Sequence, residues 1–207
     1  MSEDKSIVVA RPAVVAGLVL LFHGVGATAS DLAPLGGLIA KAMPHAMVVS
    51  VEAPFASDIG AGRQWFSVRG VTEENRPGRI AQVMPAFQQA VLHWQGEAGV
   101  SAEATTLVGF SQGAIMSLES TQCEPVLARR VVSLAGRFAA EVKRPRDATV
   151  FHMIHGDSDA VVPTENSKRA AAQLKQLGAQ VTLDIVPSLG HGIDMRVVEL
   201  VTGYLKQ

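Results

Sequence analysis

Thr105-Thr106-Leu107-Val108-Gly109-Phe110-Ser111-Gln112-Gly113-Ala114-Ile115-Met116-Ser117-Leu118-Glu119 decides how the rest of the chain is read. Its first four residues are β-branched or apolar and fit a buried strand, while residues 114–119 fit a helix. Between them stands the pattern G-x-S-x-G. A serine at such a junction sits in a sharp, strained turn that lifts its hydroxyl clear of the backbone, and the glycines remove side chains that would collide there. Ser111 is therefore the candidate nucleophile. The pattern is short enough to arise by chance at a glycine-rich strand end, so its weight depends on its surroundings.

Outward from this junction, apolar runs alternate with amphipathic ones. Residues 7–10, 17–22, 47–51, 130–134, 149–154 and 181–186 read as further strands. Ser30-Asp31 can cap a helix running to about Met43, with Pro34 in its first turn. Ile80, Met84, Phe87, Val91 and Trp94 recur at helical spacing, and Pro85 among them implies a kink or a late start. Pro163-Thr164 begins a helix that presents Ala170, Leu174 and Leu177 and stops at Gly178. The last helix buries Ile193, Val197, Leu200, Val201 and Tyr204. Near-continuous apolar strands alternating with helices predict an α/β fold, a mainly parallel central sheet with helices on both faces. Residues 54–77 have no clean period and read as a long excursion over the sheet edge. One domain over residues 1–207 is expected.

Composition narrows the function. The 207 residues are 48% hydrophobic with a formal net charge of -1, and no basic block stands out, which argues against disorder and against nucleic acid as partner. Cys123 is the one cysteine, so no internal disulfide can form, and it reads as a small buried or half-buried side chain. Residues 13–22 followed by Ala27-Thr28-Ala29 imitate a signal peptide. Glu3 and Asp4 neutralise that leader, Pro12 and His23 bracket the run, and cleavage would remove a loop assigned to chemistry below. The run is also too short to span a bilayer. A cytoplasmic protein without stable membrane insertion is expected. No Cys, His and carboxylate set has metal-ligand spacing, so neither metal nor cofactor is expected.

In a parallel sheet, functional groups gather at the carboxyl ends of strands. Four such loops carry polar residues out of pattern: His23-Gly24, Ser111, residues 157–159 and His191. A serine needs a base to take its proton, and the base needs a carboxylate to fix its tautomer. The order Ser, Asp, His along the chain is that of the α/β-hydrolase fold, giving Ser111 as nucleophile, Asp159 as orienting acid and His191 as general base. Asp157 lies close enough to compete. A turn bond to its own backbone suits Asp157, and the loop crest suits Asp159. An oxyanion needs donors: the Gln112 N–H is one, and the loop 23–26 should supply the other. Trp65 and Phe66, an adjacent aromatic pair in the irregular segment, are expected to wall an acyl pocket, with a place in the core as the competing reading. His45, His93 and His152 read as structural, and His23 and His155 as braces of their loops. Arg63, Arg69, Arg76 and Arg79 read as a solvated face.

Several stretches together resemble the phospholipase/carboxylesterase family of α/β-hydrolases, which includes bacterial carboxylesterases and acyl-protein thioesterases. Leu21-Phe22-His23-Gly24-Val25-Gly26 resembles its L-x-H-G-x-G start, and Gly109-Phe110-Ser111-Gln112-Gly113 its G-F-S-Q-G elbow. His155-Gly156-Asp157-Ser158-Asp159 with Val162-Pro163 resembles H-G-x-x-D-x-x-V-P, and Gly190-His191 the G-H signature. The resemblance covers nearly the whole chain. It implies Val25 and Gln112 as oxyanion amides, agrees with Asp159, and aligns Trp65-Phe66 with a W-F segment near the acyl pocket. The aspartate that usually follows W-F is Ser67 here. The expected activity is hydrolysis of carboxylic esters through an acyl-enzyme, with a small-molecule ester as partner and self-association as a homodimer left open. Acyl thioesterase and lysophospholipase are the alternatives within the class. A non-catalytic small-ligand receptor on the same fold is the alternative from another class.

Overall fold

Alternate residues of the central strands divide between two apolar layers. Leu18, Leu20 and Phe22 join one core with Phe87, Val91, Met116, Leu118 and Leu174, while Val19 and Leu21 join another with Leu35, Ile39, Val197 and Val201. A strand apolar on both faces must be covered on both, which is why helices lie on either side. Burying each such side chain contributes about 1.5–3 kcal/mol. The computed structural model describes residues 5–143 and 149–207, so Glu3 and Asp4 of the leader lie outside it.

The elements are β1 (Ile7–Ala10), β2 (Gly17–Phe22), α1 (Ala29–Ala42), β3 (Ala46–Val51), β4 (Phe55–Ala56), β5 (Arg63–Gln64) and α2 (Arg76–Ala98), followed by β6 (Thr105–Phe110), α3 (Gln112–Ser120), β7 (Arg130–Leu134), β8 (Val150–Gly156), α4 (Glu165–Gln176), β9 (Gln180–Val186) and α5 (Met195–Leu205). The seven-stranded sheet has the order β1-β3-β2-β6-β7-β8-β9. β1 runs antiparallel to β3, and every other pair is parallel. β4 and β5 form a separate antiparallel hairpin inside the excursion. The register sets Phe22 beside Gly109, Phe110 beside Leu134 and Gly156 beside Val186. All the loops that matter therefore leave the same edge. Strand order reverses between β2 and β6, the position where α/β sheets open a crevice.

Several boundaries differ from the sequence reading. Thr28, not Ser30-Asp31, precedes the first turn of α1, and Asp31 reaches back to accept the Thr28 N–H at 2.8 Å, as in a capping box. α2 runs unbroken from Arg76 through Pro85. Pro85 is exposed, as is Ala81, whose carbonyl loses the helical donor that a proline cannot supply. β8 continues through His155-Gly156 because β9 pairs with it to that point. Ile193 precedes α5, whose cap is Asp194, accepting the N–H groups of Arg196 and Val197. No helix among the described residues is long and apolar enough to cross a membrane.

Candidate active site

Ser111 joins β6 to α3 with φ 51° and ψ -114°, in the left-handed half of the backbone map. A non-glycine residue held there costs about 1–3 kcal/mol, so the surroundings must enforce it. Its N–H donates to the Leu134 carbonyl at 2.9 Å, and its carbonyl accepts from Ile115 at 3.0 Å. A Cβ on Gly113 would run into the Phe22 carbonyl, and one on Gly109 into the backbone of Ala114. Only glycines let α3 close down on β2 and β6 and turn the serine outward.

The three side chains drawn together from sequence meet here. His191 Nε2 is 2.9 Å from Ser111 Oγ, and His191 Nδ1 is 2.7 Å from Asp159 Oδ2. A carboxylate only accepts, so Nδ1 carries the hydrogen and Nε2 is free to accept the serine hydroxyl. The Phe110 ring lies against the imidazole, centroids 5.0 Å apart. Asp159 Oδ1 accepts the N–H groups of Val161 and Val162 at 2.8 and 2.9 Å. Burial opposes ionisation of this carboxyl, but the His191 bond and the two amides outweigh it and hold it below the ordinary aspartate value. Asp157 is placed differently from its reading. Its Oδ1 accepts from Ser158 Oγ and from the Ser188 N–H at 2.7 Å, tying the β8 loop to the β9 loop. The turn bond expected of Asp157 belongs to Asp159, because the chain doubles back only after residue 159.

The loop 23–26 lies over Ser111: a Cβ on Gly24 would come within 3.2 Å of the Ser111 Cβ. His23 Nε2 accepts the Ala53 N–H at 3.1 Å, so its Nδ1 carries the hydrogen and donates to the Gly24 carbonyl at 2.8 Å. Burial holds this imidazole below the ordinary histidine value, in keeping with the neutral form. With the Gly24 carbonyl gripped, the trans peptide directs the Val25 N–H to the opposite side. The excursion braces the same loop. Gly26 N–H donates to Arg63 at 2.9 Å, and Arg63 N–H donates to Ala27 at 2.8 Å. The Gln112 N–H opens α3 next to Ser111. The Gln112 side chain accepts the Trp65 N–H at 2.7 Å and donates to the Phe66 carbonyl at 2.8 Å.

That double grip went unread in the sequence. Its one signal was an amide at the head of the helix beside Ser111, where the sequence reading used only the backbone N–H. Trp65 and Phe66 also take the place in the core that the competing reading gave them. Both are buried, and the Trp65 ring packs on Phe87 and Phe22 at centroid distances of 5.0 and 6.0 Å. An irregular backbone can enter a core when a side chain satisfies its polar groups, and Gln112 does so. Both residues also line a cavity of about 580 Å³ with Phe55, Arg69 and Gln82. The arginines are less solvated than expected. Arg63 donates to Ala53, and Arg79 to Ser67, Arg69 and Gly70, while Arg76 pairs with Glu73 and Arg69 is exposed. His45 and His93 are exposed, and Cys123 is half-buried. Among the described residues no group of three or more His, Cys, Asp or Glu could hold a metal ion.

Comparison with known proteins agrees with this architecture. The profile of the Phospholipase/Carboxylesterase family matches residues 3–207. Esterase YpfH of Escherichia coli (strain K12) is 44% identical over 206 residues, covering 100% of this chain and 89% of that protein. Acyl-protein thioesterase 1 of Gibberella zeae is 31% identical over 179 residues, covering 80% and 75%. The crystal structure of esterase PE8 superposes with a TM-score of 0.88 at 27% identity, over 98% of this chain and 97% of that one. The chain is thus an α/β-hydrolase and belongs to the phospholipase/carboxylesterase family.

Proposed function

We propose that this hydrolase cleaves carboxylic esters through an acyl-enzyme built on Ser111, acting as a single domain on a small-molecule ester. His191 Nε2 takes the hydroxyl proton as Ser111 Oγ attacks the ester carbonyl. The negative oxygen accepts from the Val25 and Gln112 N–H groups, donors typically worth about 10²–10³ in rate each. The His191 cation then protonates the departing alcohol. Water, deprotonated by the same imidazole, attacks the acyl-enzyme, and collapse frees the acid and restores the serine. Asp159 keeps the tautomer and stabilises the cation. The observation that carries this reading is the continuous relay, 2.9 Å from serine to imidazole and 2.7 Å from imidazole to carboxylate, on a strained strand-to-helix turn.

The test is Ser111→Ala, assayed on a short p-nitrophenyl ester and with a fluorophosphonate probe. Turnover should fall by about a millionfold, the scale seen when a triad nucleophile is removed, and labelling should vanish. A mutant that still labels puts the nucleophile elsewhere, and wild-type protein that binds the ester without turning it over supports a receptor. A second reading, thioester cleavage, is favoured by the 31% identity to a protein named acyl-protein thioesterase 1. Comparing kcat/KM for matched ester and thioester pairs decides between them.

A further inference from the structure

A second imidazole touches the proposed acid. His155, at the end of β8, is 1% exposed. Its Nε2 lies 3.1 Å from Asp159 Oδ2 and 2.8 Å from the Val162 carbonyl oxygen. Both partners accept, so Nε2 carries a hydrogen whether the ring is neutral or cationic. Its Nδ1 is 2.7 Å from Ser167 Oγ on α4, and that hydroxyl is 3.2 Å from the Gly136 carbonyl. Asp159 Oδ2 therefore receives two imidazole N–H bonds, from His191 and from His155.

We propose that His155 is a positioning residue for the esterase reaction, fixing Asp159 and moderating the base strength of His191 through the oxygen the two imidazoles share. The proposal rests on the Ser111–His191–Asp159 reading above. A donor on Oδ2 draws off negative charge that would otherwise stabilise the His191 cation, so the imidazole releases its proton more readily. Arg130 on β7, whose buried Nε has no hydrogen-bond partner among the described residues, stands beside Val150 at the opposite end of β8 from His155. The other charged groups nearby are engaged with partners of their own. Asp157 accepts the Ser188 N–H, Arg137 after β7 pairs with Glu73, Glu165 pairs with Lys168 on α4, Asp184 on β9 accepts from Tyr204, and Asp194 pairs with Arg196.

The experiment is the pH profile of kcat/KM for a p-nitrophenyl ester in wild type, His155→Phe and His155→Gln. His155→Phe removes the donor, and the acid limb should move to higher pH by about half a unit or more, with kcat falling about tenfold and KM nearly unchanged. His155→Gln keeps an N–H near the Nε2 position and should restore the wild-type limb. A His155→Phe limb coincident with wild type, together with a lower melting temperature, overturns the proposal and leaves His155 as packing. If His155→Phe does not fold, Ser167→Ala releases the Nδ1 end of the ring and should move the limb in the same direction by less; an unmoved limb there overturns the proposal equally. Fluorophosphonate labelling of each variant separates the two levels. Labelling that persists in Ser111→Ala refutes the triad itself, whereas Ser111-dependent labelling with an unmoved limb refutes only the role of His155.

Discussion

The two sides of the serine are held by different means. On the β8–β9 side the groups are fixed by side chains: Asp159 uses both oxygens on two amides and two imidazoles, and Asp157 ties its loop to the next. On the β2 side they are fixed by backbone. The loop 23–26 is paired to the excursion through Gly26, Ala27 and Arg63, and the excursion is pinned to α3 by the Gln112 amide. A proton relay needs atoms at fixed points, and polar side chains supply them. The proposed oxyanion donors are backbone N–H groups, so only the course of the main chain can aim them.

If the first side works as a relay, its largest break is Asp159→Asn. An analogous aspartate elsewhere, once stripped of its charge, sets the wrong histidine tautomer and costs about 10⁴ in kcat. The same loss is expected here, while Asp157→Ala should change kcat little and cost about 1 kcal/mol of stability through the lost Ser188 bond. Ester turnover and thermal midpoints of both proteins check this, and a dead Asp157→Ala beside an active Asp159→Asn would reverse the two roles. On the second side, Gln112→Ala strands the buried Trp65 N–H and Phe66 carbonyl, at about 1–3 kcal/mol each. Its midpoint should drop by several degrees and its kcat by about 10- to 100-fold, with Ser111 still labelled. A stability loss with unchanged kcat would mean that the excursion does not aim the donors.

The smallest effect lies outside both sides. His152 Nδ1 bonds to Thr182 Oγ1, and its ring stacks on Tyr204. Burial, with the nearby Arg130 charge, pushes its pKa down from 6.5 to about 4. The unfolded chain therefore binds the extra proton first, and stability present above pH 6.5 is lost as pH falls towards 4, by at most about 1.4 kcal/mol per pH unit. Thermal midpoints of His152→Phe should lose that slope while its kcat/KM profile matches wild type. An unchanged slope would assign the acid sensitivity to another group, His23 first.

The same contrast explains what could be read in advance. The parallel sheet and its strands followed from apolar runs, and Ser111, Asp159 and His191 from polar residues standing at strand ends where nothing in the packing asks for them. The role of Gln112 was hidden because its partners, Trp65 and Phe66, lie in a segment without periodicity and offer only their backbone. Pairing of β4 with β5 was hidden for the same reason, two residues per strand being too few to show alternation. The loop crest and the H-G-x-x-D spacing favour Asp159 over Asp157, but the turn bond expected at Asp157 belongs to Asp159, because the direction the chain takes after residue 159 is not written in residue type.

β9 closes the sheet at one edge, with a single neighbour and mostly half-buried residues, and the proposed base hangs from its end. Edge elements open at lower free energy than the centre of a fold. Catalysis should therefore be the most fragile property of this molecule: on gentle heating, ester turnover is expected to fade several degrees before far-ultraviolet circular dichroism reports melting, and coincident curves would show that the edge does not open first. During synthesis Ser111 and Asp159 emerge before the proposed base, so under the proposed function the nascent chain should stay silent until its last strand has joined the sheet.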